Sequence, residues 1–171
     1  MRPLWFGLGL VLVSLTSMLA RADVAAPSPM PLHQPWAGTL GIETVKAMPH
    51  TSRSQIPAMA TIYWGVVGDD KAWRELQKRE PKLAGISVDF QKESVIFVAN
   101  EDHGGGSTMT ASSFKKTDDG AWHLVVEAQR STHDIARTYY AVTLARVLKQ
   151  DVARTRIENG GKVLGDAGLT K

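Results

Sequence analysis

The glycine run His103-Gly104-Gly105-Gly106 is the most distinctive chemical feature of the sequence. In hydrolases such a stretch supplies the backbone amides of an oxyanion hole. That chemistry also needs a G-x-S-x-G nucleophile turn, and the chain has none. Two readings remain: a tight turn that needs residues without Cβ atoms, or a binding loop whose free amides receive a partner's carbonyls or carboxylate. Glu101-Asp102 just before it reads as a solvated pair at a strand end.

Histidine and methionine raise a second chemistry. The histidines are His33, His50, His103, His123 and His133, with Met30, Met48, Met59 and Met109 as soft donors. Met30-Pro-Leu-His33 and Met48-Pro-His50 resemble each other faintly, and an exported copper carrier could combine such ligands. No two histidines have the i, i+2 or i, i+4 spacing of a strand or helix site. A serine hydrolase would need His133-Asp134 to meet Ser107, Ser112, Ser113 or Ser131. Adjacent His and Asp point away from one another in a strand, so only tertiary geometry could assemble that group. The arginines Arg130, Arg137, Arg146, Arg154 and Arg156 are interspersed with Glu127, Asp134, Asp151 and Glu158, which reads as a mixed surface.

These groups must be positioned by a chain of 171 residues, 43% hydrophobic and 22% charged, with no cysteine. Such a composition excludes disorder, collagen and a disulfide scaffold as descriptions of the whole. The net charge is +3, and much of that excess sits in Arg2 and Arg21. Residues 1–22 read as a signal peptide: a basic start, an apolar run over Leu4–Leu15, and Ala20-Arg21-Ala22 as an A-x-A cleavage site. The run is shorter than the roughly 20 residues that cross a bilayer. A soluble product exported to the periplasm or the medium is expected, with no membrane span after cleavage. Its near-neutral charge gives no electrostatic reason to bind nucleic acid.

Four prolines over residues 23–37 (Pro27, Pro29, Pro31 and Pro35) suggest a flexible arm. A single domain is expected over 38–164, then a loose tail over 165–171. Strand character begins at Thr39 with Leu40, Ile42 and Val45, and resumes at Ala60–Trp64 after a turn-rich stretch around Pro49–Pro57. One helix is expected near 69–80, capped by Asp69 or Asp70 and ended by Pro81. Trp73 and Leu76 form its apolar face, with Asp70–Arg74 and Glu75–Arg79 as supporting pairs. Val95–Ala99 is apolar throughout, as a strand covered on both faces must be. Residues Ser107–Lys116, Trp122–Gln129 and Tyr139–Leu148 read as further strands. In the second of these, Trp122, Leu124, Val126 and Ala128 face one way and His123, Glu127 and Gln129 the other. Asn159-Gly160-Gly161 marks a hairpin before Val163. The fold class is α+β: a mainly antiparallel sheet of about seven strands, sandwich or barrel-like, with one helix.

From about residue 58 to 149, the helix with Trp73, the Val88-Asp89-Phe90 box, the buried strand from Val95 and the paired glycines follow one order. That order resembles the C-terminal domain of the PrcB family, exported accessory proteins of a surface protease. The aromatic usual after the paired glycines is replaced by Ser107-Thr108, and the proline-containing end by Arg137-Thr138-Tyr139-Tyr140-Ala141-Val142. The resemblance implies a binding domain without catalytic residues or cofactor, whose partner is a protein or peptide, a protease among them. The expected contact residues are Asp102, His103, Gly104, Gly105, Gly106, Ser107 and Thr108, with Arg137 and Tyr139 beside them. A Met/His metal binder and a small hydrolase are the alternatives.

Overall fold

The computed structural model describes residues 30–55, 61–101, 108–129 and 139–168. Nine strands appear among them. The first sheet contains β1 (Pro35–Gly41), β2 (His50–Gln55), β3 (Thr61–Val67), β4 (Glu93–Glu101) and β7 (Tyr139–Leu148), in the order β1-β7-β4-β3-β2. The second contains β5 (Thr108–Lys116), β6 (Trp122–Gln129), β8 (Thr155–Asn159) and β9 (Lys162–Asp166), in the order β5-β6-β8-β9. Among the described residues neither sheet closes into a barrel, and the strands pair antiparallel except β6 with β8; Leu32 adds an isolated parallel bridge to Arg146. The α+β, β-rich class expected from the sequence is the observed one, as a sandwich rather than a barrel.

The apolar run of β4 is explained by its neighbours on both sides. Val95, Phe97 and Ala99 join Val142 and Leu144 of β7 against a helical layer, with Trp73, Leu76, Leu83 and Ile86. Ile96 and Val98 face the second sheet, where Leu124, Val126 and Ile157 are fully buried with them. The first sheet is therefore the middle of three layers, and its central strands carry no polar face. Burying both faces of one sheet is the main apolar gain of the fold.

Helix α2 (Asp70–Arg79) forms where the sequence places a cap and an apolar stripe. Asp69 Oδ1 accepts from Ala72 N at 2.8 Å, and Trp73 Nε1 donates to Ile86 O. The Asp70–Arg74 pair forms at 2.7 Å, whereas Glu75 takes Lys78 at 2.7 Å instead of Arg79. Three further helical pieces accompany it: α1 (Ile42–Ala47), a 3₁₀ turn (Pro81–Leu83) and α3 (Lys149–Val152). The strand character expected across Leu40–Val45 thus ends at Gly41. Thr44 and Val45 are buried from one turn of α1, while Glu43 and Lys46 pair on its outside at 3.1 Å. The stretch expected as turns around Pro49–Pro57 contains β2, a polar edge strand paired among the described residues only with β3.

The packed chain also extends past both expected ends. Met30 is buried and β1 starts at Pro35, so the arm expected over 23–37 is packed from Met30 onward. At the other end Asp166 belongs to β9, and buried Ala167 donates to Thr155 O at 2.7 Å. The hairpin expected at Asn159 forms with Gly160 and Gly161 at φ 56° and 79°. Two successive positive φ values define the turn whose twist matches its strands.

Thr143 lies on β7 inside the sandwich, fully buried, and among the described residues its hydroxyl has no hydrogen-bond partner. An unpaired buried hydroxyl costs about 1–3 kcal/mol. Thr143→Val is expected to raise the unfolding free energy by about 1 kcal/mol, read from urea denaturation. A loss of stability would show that the hydroxyl is satisfied in solution.

Candidate functional site

The chain passes twice between the two sheets. The chain leaves the first sheet after Glu101 of β4 and enters the second at Thr108 of β5. It leaves the second after Gln129 of β6 and returns at Tyr139 of β7. The pairing registers set strand ends side by side within each sheet: Thr108 with Gln129 in the second, and Asn100 with Ala141, Gly41 with Tyr139, and Thr61 with both Glu101 and Gln55 in the first. Of the expected contact residues, Thr108 and Tyr139 are placed here as the first residues of β5 and β7. Asp102, His103, Gly104, Gly105, Gly106, Ser107 and Arg137 lie outside the described residues.

The Val88-Asp89-Phe90 box stands apart from those crossings in the chain and acts structurally. Asp89 Oδ1 accepts from Gln91 N at 3.1 Å, and Asp89 O accepts from Lys92 N and Glu93 N. The box is a turn that starts β4, and Phe90 packs beside Trp73 with ring centroids 6.4 Å apart.

At the opposite end of the second sheet the strands frame a polar cleft of about 470 Å³. Asp119, Gly120 and Ala121 come from the β5–β6 turn, and Ala153 and Arg154 from the link between α3 and β8. Arg156 of β8 and Asp166 of β9 complete the wall. Arg156 Nη1 reaches Asp119 Oδ2 at 3.2 Å. Asp119 Oδ1 is fixed by Thr117 Oγ1 at 2.5 Å and by Ala121 N at 3.1 Å. The Thr117 hydroxyl, then the Ala121 amide and the Arg156 charge, hold the Asp119 carboxyl below its usual range. It therefore stays ionised through mildly acidic pH. Arg154 and Arg156, expected among the arginines of a mixed surface, line this cleft together. Their i, i+2 spacing, which places alternate residues on one face of an extended segment, was the available signal. Only the fold brings the Asp119 turn beside them.

The histidines and methionines separate into structural roles. Met30, Met48 and Met109 are packed among apolar side chains of the two cores. His33, at φ 57°, stacks on Trp122 with centroids 4.0 Å apart and planes at 9°. Its Nε2 lies 3.4 Å from Asp151 Oδ2, close enough for an ion pair but not aligned as a hydrogen bond. His123 Nδ1 lies 3.1 Å from Glu158 Oε2 on the outer face of the second sheet. Among the described residues no three His, Cys, Asp or Glu side chains converge on one point. No helix among them is long and apolar enough to cross a membrane. His103, His133, Asp134, Met59, Ser107 and Ser131 lie outside the described residues, as do the side chains of His50 and Ser112.

No family model, curated protein or solved structure matches the chain.

Proposed function

We propose that the chain is an exported, non-enzymatic domain that captures a protein or peptide where it crosses between the two sheets, with a protease as its partner class. The observation that carries this reading is that the chain passes twice between the sheets at paired strand ends: Thr108 beside Gln129 in the second sheet, and in the first Asn100, which precedes Glu101, beside Ala141 near the start of β7. Connections carried by a rigid scaffold are the usual platform for recognition. The contact residues expected from the sequence either begin strands there or lie in the two connections that join those ends. Backbone amides and carbonyls of such segments dock an extended partner chain, and flanking side chains set which partner fits. The protease class comes from the PrcB-type resemblance.

A photo-crosslinking residue at Thr108, with the same residue at exposed Lys149 on α3 as the remote control, tests the assignment. The expected result is one dominant adduct from position 108, a protease by mass spectrometry, which then binds the chain when both are purified. Equal adducts from both positions, or none from position 108 in a folded protein, overturn the proposal. A non-protease partner overturns its protease component alone.

A further inference from the structure

We infer that the cleft between the β5–β6 turn and the neighbouring ends of β8 and β9 binds a small zwitterion carrying an α-carboxylate and an α-ammonium group: a free amino acid or a dipeptide. Four charged side chains line the cleft, two of each sign: Arg154, Arg156, Asp119 and Asp166. Two of them are matched, since Arg156 is held at 3.2 Å by Asp119. The other two are not. Arg154 and Asp166 are exposed, and among the described residues neither side chain has a partner of opposite charge.

Their backbones are nevertheless fixed. Arg154 N donates to Asp151 O at 3.0 Å, and Arg154 O accepts from Trp122 N at 2.9 Å. Asp166 O accepts from Trp64 Nε1 at 3.0 Å, an anchor to the buried centre of the first sheet. The two unmatched charges thus stand on a rigid frame, which lowers the ordering cost of binding. Arg156, opposite Asp166 in the β8–β9 register, turns its Nη1 to Asp119 and makes no ion pair with Asp166.

This arrangement selects among ligand chemistries. A simple anion drawn to Arg154 meets two carboxylates in the same cleft, and a simple cation drawn to Asp166 meets two guanidiniums. A ligand with both charges satisfies Arg154 and Asp166 together and adds no net charge to a balanced cleft. Guanidinium–carboxylate pairing supplies the directional contact. A volume of about 470 Å³ lies in the range that holds small molecules.

The probe is L-alanyl-L-alanine, titrated into the isotope-labelled chain while the amide signals of Gly120, Ala121, Arg154 and Arg156 are followed. Saturable shifts confined to these amides are expected, with half-saturation on the order of 1 mM. Capping the ammonium as N-acetyl-alanyl-alanine, or the carboxylate as alanyl-alanine amide, is expected to weaken binding about tenfold or more. Arg154→Gln and Asp166→Asn are expected to weaken the uncapped dipeptide to a similar degree, with the rest of the spectrum unchanged. Acetate or inorganic phosphate binding as tightly as the dipeptide overturns the proposal in favour of a plain anion site. It also fails if no saturable shift appears, or if the two variants bind the dipeptide like the parent.

Discussion

Arg146→Ala is expected to lower the unfolding free energy by about 3 kcal/mol, in the range for breaking a buried ion pair from one side. Arg146 projects from β7, and its Nε and Nη2 both reach Glu93 Oε2, at 2.9 and 2.6 Å. Both side chains are largely buried, at 15% and 13% exposure. Removing the guanidinium leaves the Glu93 carboxylate in that environment without a counter-charge, which costs more than the pair itself contributes. Arg146 has a second task. Its Nη1 donates to Met30 O, and its own carbonyl accepts from His33 N at 2.9 Å. The segment from Met30 to His33 is therefore held to β7 by one residue, through both its side chain and its backbone. Urea denaturation of Arg146→Ala, Glu93→Ala and the double variant measures the coupling. The double variant is expected to cost clearly less than the sum of the singles, because it removes the stranded charge. Additive costs would show that the pair is not coupled. Limited proteolysis should also cut near Met30 faster in Arg146→Ala, since the carbonyl anchor is gone while the backbone contact remains.

The parts of the fold legible in the sequence are those whose signal is local. Helix α2 announces itself by a cap, an apolar stripe and a following proline. Strand β6 shows alternation, and β4 shows an unbroken apolar run that implies cover on both faces. The Asn159-Gly160-Gly161 turn is specified by two positions that need positive φ. What has no local signal depends on neighbours distant in sequence. Strand β2, with Thr51, Ser52, Arg53 and Ser54, has the composition of a loop. It is a strand because β3 offers it an edge, and polar residues suit a strand left at the border of a sheet. Helix α1 carries β-branched Ile42, Thr44 and Val45, which favour a strand locally. Burial of Thr44 and Val45 outweighs that preference. The parallel pairing of β6 with β8 joins segments whose starts are 33 positions apart in register, Trp122 with Thr155. Nothing in either segment signals that pairing. The same holds for the polar cleft. Its arginines and aspartates were visible as residue types, but their convergence follows from β8 lying between β6 and β9. The crossings between sheets are legible only in part: the glycine run marks one of them, while the pairing of Thr108 with Gln129 and of Tyr139 with Gly41 has no local signal.

Gly65→Ala is expected to be the most damaging single-methyl change in the described fold. Gly65 sits in β3 between Trp64 and Val66, and its Cα partners are Phe97 on β4 and His50 on β2. An added Cβ would stand 2.0 Å from Pro49 O and 2.9 Å from the Phe97 ring. A flexible side-chain end could rotate away from such a clash, but a backbone carbonyl cannot. Pro49 immediately precedes β2, and the β2–β3 register is already irregular between His50 and Ser52. Retreat of Pro49 would therefore pull the start of β2 away from β3, while Phe97, fully buried, has no space in which to turn. A glycine inside a strand marks such a close backbone approach. The expected cost is about 3 kcal/mol or more, at the upper end for overpacking a core. Gly68→Ala separates this effect from a general intolerance of alanine, because a Cβ there meets nothing within 4 Å and the residue does not need positive φ. That control is expected within about 0.5 kcal/mol of the parent. Denaturation midpoints rank the two variants. Hydrogen exchange at the β2 amides locates the damage, which should appear as lost protection from His50 to Gln55 while β4 and β7 remain protected. Equal stability for both variants would mean that Pro49 does not approach β3 this closely, and that β2 is held by its polar edge contacts alone.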